Sequence, residues 1–378
     1  MSARLLPMST LHIACLLLAA ASCALPQSQP LFEETDVFSG GQDDINTYRI
    51  PSLICTRSGT ILAFCEGRKD SNADGSPTHV VLKRSLGNTG DWNPPARRGT
   101  VPEGRSRQRN MTWLPIQIVL PAKNREAYMN PVPILDRTDG AIYLLVNYHV
   151  PRQEETIGTP TLLLKSTDEG ATWSAPVDLT AAIGLKELGP GVGIQMRNGR
   201  LVAPTYGGVI FSDDHGKTWK AGGKTTGPVS ETQVVELADG ALMLNARGSP
   251  NRTVVLSKDG GENWGAPAAD PVLTDSELWG GCQASLIRYA PDRLLFANPA
   301  DRKHRFDLTI RMSADEGKTW PVAKLLRKGP GAYSSMIVLP DESIGIIYET
   351  GNTYGDIVES YARLAFARFN LAWLTGAP

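Results

Sequence analysis

A chain of 378 residues with 41% hydrophobic and 20% charged residues and a formal net charge of −1 is globular and long enough for one large β domain or two smaller ones. A charge balance this close to zero excludes a general binder of nucleic acid or of anionic membranes, which carries a visible excess of Lys and Arg. Five cysteines in such a length exclude a disulfide-stapled scaffold, so the core must supply the stability.

In chain order, Arg4 precedes an apolar, alanine-rich run at residues 11 to 24 that ends in small residues, with Ser22 and Ala24 spaced like a cleavage site. The run is shorter than the ~20 residues of a spanning helix. It reads as a signal peptide over residues 1–24, with no transmembrane segment. Cys15 and Cys23 leave with it, and the odd count of Cys55, Cys65 and Cys282 leaves at least one thiol unpaired. Sequons begin at Asn110 and Asn251, each weak on its own.

The first predicted strand, NTYRIPSL at 46 to 53, holds Arg49 in a run that otherwise reads as buried. A guanidinium there needs a partner. The partner is either a carboxylate of the fold or a ligand carboxylate gripped by the planar fork of donors. From this stretch alone the ion pair is the better reading.

Two repeats interleave from residue 50 to 350. The first is a hairpin, an apolar β-rich run on each side of a tight turn, with copies starting at Ile50, Val132, Gly193, Thr232, Ala284 and Ser334. The second is the octet S-x-D-x-G-x-T-W, read as STDEGATW from Ser166, SDDHGKTW from Ser212, SKDGGENW from Ser257 and SADEGKTW from Ser313. A degenerate copy starts at Ser85. In each octet the Asp can bond turn amides, the Gly accepts a positive φ, and the Trp is expected to anchor the hairpin from beneath. Six hairpins in repeats of this size predict an all-β fold, a six-bladed β-propeller occupying residues 31–370. The run from Glu359 is expected to pair with Leu31 to Phe38 and close the ring. Helical pattern is confined to a turn near 180 to 188. Residues 94 to 125 are extra material within the first blade, and the arginines from Arg97 to Arg109 read as a solvated loop.

Hairpin ends deliver ionisable residues toward one mouth of the channel. Arg49 enters the first hairpin, Glu231 precedes the fourth and Arg247 leaves it. Arg305 follows the fifth, Tyr333 precedes the sixth and Glu349 ends it. Three arginines with a tyrosine and two carboxylates suit an anionic ligand. The five histidines show no metal-ligand spacing, and no metal or cofactor is implied.

YRIP at 48 to 51 with the repeated octets, together with EGRK at 66 to 69, GPGVGIQ at 189 to 195, NAR at 245 to 247, NPA at 298 to 300, YSS at 333 to 335 and YE at 348 to 349, resembles the sialidase (exo-α-neuraminidase) family. Within it the chain is most similar to animal lysosomal sialidase, over about residues 45 to 365. The resemblance implies Asp-box octets and hydrolysis of terminal sialic acids from glycoproteins, oligosaccharides or gangliosides, with retention of configuration. It assigns Tyr333 as nucleophile, Glu231 as its activating base and Asp74 as acid/base, with Asp70 in the same loop as the runner-up. Arg49, Arg247 and Arg305 would clasp the substrate carboxylate, with Arg311 the rival for the third place. Arg68 would contact substrate, and Glu349 would brace Arg49. Loss of Arg49 is then expected to harm binding far more than folding. The same likeness implies a lysosomal or secreted destination and association with a lysosomal carboxypeptidase. The alternative reading is a propeller that binds sialoglycans without hydrolysing them.

Overall fold

The computed structural model describes residues 29–85, 111–149, 159–227, 229–354 and 357–376. The expected signal peptide, most of the degenerate octet, the arginine-rich loop and Asn110 of the first sequon lie outside the described residues.

Each predicted hairpin forms the first two strands of one antiparallel blade. The first blade comprises Thr47–Cys55, Ile61–Arg68, Thr78–Ser85 and Gln117–Leu120, and the second Ala127–Leu135, Ile142–His149, Thr161–Ser166 and Val177–Asp178. The third is built on Leu201–Thr205 and Gly208–Ser212, the fourth on Thr232–Glu236 through Ala268–Thr274. The long strand Val322–Val338 ends the fifth blade and opens the sixth. The sixth then adds Ile344–Tyr354, Ile357–Phe369 and the N-terminal strand Phe32–Ser39. Phe32 faces Phe369 and Ser39 faces Arg363, so both ends of the chain share one blade and close the ring, the pairing expected from sequence. The architecture is a six-bladed β-propeller.

Blades are covered on both faces by their neighbours, which is why inner strands read as unbroken apolar runs and not as alternating ones. All eight residues of Ile61–Arg68 are buried. Between the first and second blades, Leu62, Phe64, Val80 and Leu82 pack against Ile142, Leu144, Val146 and Leu164. The octet tryptophans sit in such seams. Trp173 meets Phe64 edge-on at 5.7 Å across the seam, and Trp219 meets Tyr143 at 6.1 Å. The anchoring role expected of these tryptophans is therefore exerted between blades more than beneath a single hairpin.

Part of the extra segment also has a place. Gln117–Leu120 pairs with Val80 to Leu82 as the outer strand of the first blade, and Trp113 packs edge-on against Phe366 of the sixth at 5.6 Å. A five-residue helix, Leu371–Thr375, escaped sequence reading because so short a run has no periodicity. Its N-cap Asn370 accepts from Trp373 N and from Leu31 N, tying the two chain ends again. The expected turn near 180 is the helix Thr180–Ile183. Cys55, Cys65 and Cys282 are all free thiols. Asn251 opens a strand and its Nδ2 donates to Asp270 O at 2.7 Å, so the amide a glycan would occupy is already engaged within the sheet.

In the octets the serine Oγ accepts from the glycine N–H, as Ser166 does from Gly170 at 2.9 Å, while the Asp accepts from the residue four positions on. Gly170 has φ +76°, and a Cβ there would lie 2.5 Å from Leu62 Cδ2, so the neighbouring blade also demands glycine. Bonds from the Thr218, Asn263 and Thr319 side chains, then from backbone N–H groups, hold Asp214, Asp259 and Asp315 down to about 2. Their folded-state values lie below the ordinary ~3.9. Their contribution to stability is thus complete above about pH 4 and is lost as the pH falls from there toward 2. Calorimetry should show a thermal midpoint that drops over this interval, and a drop that is shallower in the triple variant Asp214→Asn/Asp259→Asn/Asp315→Asn. An equally steep drop would remove the octets from the acid response.

Candidate active site

The innermost strand of the first blade is broken by a bulge between Arg49 and Ser52, where Ile50 takes φ +55°. Positive φ at a β-branched residue is costly and marks a built feature. The bulge frees Ile50 N–H from the ladder to donate to Glu349 Oε1 at 2.9 Å, and Arg49 Nε donates to the same oxygen at 2.7 Å. Glu349 is wholly buried and Arg49 nearly so. Burial alone would lower the Arg49 pKa, but the facing carboxylate outweighs it and the pKa is raised. The guanidinium lies over the Tyr361 ring, 3.7 Å from its centroid, and 5.5 Å from that of Tyr333.

Tyr333 enters the long strand of the sixth blade, its N–H 3.3 Å from Glu349 Oε2. Its hydroxyl donates to Glu231 Oε1 at 2.5 Å. Arg247 Nη1 lies 3.2 Å from that hydroxyl and 3.0 Å from the same Glu231 oxygen, and its backbone N–H donates to Glu231 O at 2.8 Å. Burial first, then the Glu231 charge, pushes the Tyr333 hydroxyl well above its ordinary value, while Arg305 and Arg247 pull the other way. At rest the tyrosine is neutral, with its proton aimed at a carboxylate. Glu231 Oε2 is buried without a hydrogen-bond partner among the described residues.

Arg305 completes the group. It is 5% exposed, 5.3 Å from the Tyr333 ring centroid and 4.8 Å from that of Trp279. Nη2 donates to Gly281 O at 2.9 Å and Nη1 reaches Tyr361 Oη at 3.4 Å. Its Nε has no partner, and no carboxylate forms an ion pair with it, among the described residues. Arg311 instead donates to Asn298 Oδ1 at 3.1 Å on the outer part of the fifth blade. All three guanidiniums of the expected clasp therefore converge on Tyr333.

Arg68 and Asp74 form a second, neighbouring group. Arg68 is buried, with Nε and Nη2 on Glu66 Oε2 at 2.9 and 2.7 Å, and Nη1 reaches out to Asp74 Oδ1 at 2.7 Å. The Asp74 side chain is 81% exposed and makes no hydrogen bond or ion pair to Tyr333 or to the three arginines among the described residues. Among the described residues Asp70 contributes only its backbone N–H, which donates to Ser76 Oγ at 3.0 Å. Sequence reading passed over Tyr361, Trp279 and Tyr206, whose hydroxyl lies 3.5 Å from Glu231 Oε1. An aromatic within ESYARLAFARF reads as packing. Trp279 gives a fainter signal, a tryptophan outside every octet, in SELWGGC.

Three guanidiniums face two carboxylates around Tyr333, leaving one positive charge that a single ligand carboxylate would balance. No cluster of three His, Cys, Asp or Glu residues that could hold a metal ion is found among the described residues. No described helix is long and apolar enough to cross a membrane.

Residues 100–348 match the family model of a BNR repeat-like domain. The chain is 33% identical to a sialidase of Micromonospora viridifaciens over 93% of its own length and 56% of that protein, which is therefore much the longer. It is 30% identical to an exo-alpha-sialidase of Aspergillus fumigatus, over 92% of this chain and 91% of the fungal one. Among solved structures, the Hadza microbial sialidase Hz136 superposes with a TM-score of 0.73 at 27% identity, covering 90% of this chain and 69% of that one. With a buried tyrosine and carboxylate ringed by three arginines in a six-bladed propeller, and with relatives matched along nearly its whole length, the chain belongs to the sialidase family of glycoside hydrolases.

Proposed function

We propose that the protein is an exo-α-sialidase that releases terminal sialic acid from glycoproteins, oligosaccharides or gangliosides with retention of configuration. The observation that carries this reading is Arg305, a buried cation with no carboxylate of its own among the described residues, beside two further arginines on one tyrosine. A desolvated charge is costly unless a counter-charge arrives. The carboxylate on the anomeric carbon of sialic acid would supply it and would set that carbon against Tyr333.

In this reading Arg49, Arg247 and Arg305 orient the substrate. Glu231 takes the Tyr333 proton along the 2.5 Å bond as the phenolic oxygen attacks, so that no anionic nucleophile approaches the substrate carboxylate. Asp74 gives its proton to the leaving glycosidic oxygen. It then takes a proton from the water that cleaves the aryl glycosidic bond between the anomeric carbon and Tyr333, and Tyr333 recovers its own from Glu231. The exposure of Asp74 suits a group that meets both aglycone and water, and Arg68 fixes where it hangs. Asp74 and not Asp70 takes this part because, among the described residues, only Asp74 is tethered by its carboxylate.

The test is hydrolysis of an α-sialoside followed by proton NMR. The α anomer of free sialic acid is expected first, with the β anomer growing in by mutarotation. First release of the β anomer would overturn the retaining mechanism. Binding of sialic acid without turnover would make the protein a sialoglycan-binding propeller.

A further inference from the structure

The segment Asp275 to Cys282 joins the fourth blade to the fifth, and three successive residues in it, Trp279, Gly280 and Gly281, have φ of +53°, +68° and +105°. Two of their carbonyls face the site. Trp279 O accepts from Arg247 Nη2, and Gly281 O accepts from Arg305 Nη2 at 2.9 Å. One short loop thus holds two of the three arginines by its backbone. The glycines adopt positive φ freely, but at Trp279 such a conformation persists only where the surroundings impose it.

What imposes it is a buried ion pair to which the proposed mechanism gives no part. Asp275 Oδ1 accepts from Ser276 N and Cys282 N, both at 2.9 Å, so one carboxylate oxygen clamps the loop at its two ends. Asp275 Oδ2 accepts from Arg252 Nη1 at 2.8 Å. Arg252 has no exposed surface, donates also to Cys282 O, and is held by Asn245 Oδ1 at 2.8 Å, two residues before Arg247. Gly281 closes the arrangement. A Cβ there would stand 2.8 Å from Asp275 Oδ2 and 3.0 Å from Arg247 Cγ.

We propose that Arg252 and Asp275 are positioning residues that set Arg247 and Arg305 together for the ligand carboxylate, through the Asp275–Cys282 loop. The pair acts first on affinity for the anion, and on the Tyr333 and Glu231 chemistry only secondarily, through Arg247 Nη1 at 3.2 Å from the Tyr333 hydroxyl and 3.0 Å from Glu231 Oε1. This rests on the sialidase reading for its ligand and not for its geometry.

The experiment compares wild type with Asp275→Asn and with Gly281→Ala, which presses on the loop without stranding a buried charge. KM and kcat are measured on a fluorogenic α-sialoside, Kd on free sialic acid by calorimetry, and folded fraction by near-UV circular dichroism. Both variants are expected to raise KM and Kd by about 10- to 100-fold, the scale of a small misplacement of binding groups, with kcat changed only a few-fold. A variant whose folded fraction keeps the wild-type KM and Kd would overturn the proposal, whether or not the total folded fraction drops. Should Asp275→Asn not fold at all, Gly281→Ala decides by the same criterion. Wild type that binds sialic acid without turnover would sink the enzymatic reading alone, with Kd still deciding this one. Wild type that neither binds nor hydrolyses would overturn both.

Discussion

Tyr333→Phe is expected to lower kcat on an α-sialoside by at least about 10³-fold, with KM and the thermal midpoint little changed. The phenyl ring remains to fill the space between Arg49 and Arg305, whose guanidiniums lie 5.5 and 5.3 Å from its centroid. Only the hydroxyl is lost, and with it the 2.5 Å bond to Glu231 Oε1. Glu231 is not stranded, because Arg247 stays 3.0 Å from the same oxygen. Packing and charge balance are therefore nearly conserved while the attacking atom is removed. A variant that keeps a tenth or more of wild-type kcat would show that another group or water attacks.

Arg305→Gln is expected to raise KM for sialosides by about 10²-fold, since a bond between charged groups contributes about 1.5 to 3 kcal/mol, while stability holds or improves. It removes a 5% exposed cation that has no ion-pair partner among the described residues, so nothing of opposite sign is left exposed to the loss. Arg49→Ala contrasts with it. Among the described residues Glu349 would keep only the Ile50 and Tyr333 N–H groups as partners, in a fully buried place. Breaking such a pair from one side costs about 3 to 5 kcal/mol. Sequence reading puts the cost of losing Arg49 on binding, whereas this geometry puts a large share on folding. Melting curves beside steady-state kinetics for the two variants separate the effects. A stable Arg49→Ala, or an Arg305→Gln with unaltered KM, would contradict the assignment.

The repeats made the propeller legible, because an octet that must satisfy its own turn writes the same Ser, Asp, Gly and Trp at each blade. Ring closure was legible too, since the run from Glu359 had no other partner. The tryptophans were harder, because their octet says nothing about which blade the ring leans on. At the site, Arg49 announced itself as a charge inside an apolar strand. Arg247 and Arg305 stand just outside strands and were singled out by their places at hairpin ends and by the family resemblance. Arg252 and Asp275 are equally buried but neutralise one another, and neither lies in a repeat that would flag it. Tyr361 and Trp279 act as flat surfaces beneath cations, a role that a one-dimensional pattern does not distinguish from packing. The bulge at Ile50 escaped as well. Its φ of +55° follows from what Glu349 demands 299 residues away.

The most direct test of the central claim is to trap the covalent intermediate with 2,3-difluorosialic acid, whose C2 fluorine leaves as fluoride when the nucleophile attacks and whose C3 fluorine slows hydrolysis of the adduct, and to locate the label by peptide mass spectrometry. One adduct is expected, on the peptide carrying Tyr333, and it should be absent from Tyr333→Phe. An adduct on Asp74, Glu231 or Glu349, or turnover that proceeds with no adduct on any peptide, would contradict a tyrosine nucleophile held among three arginines.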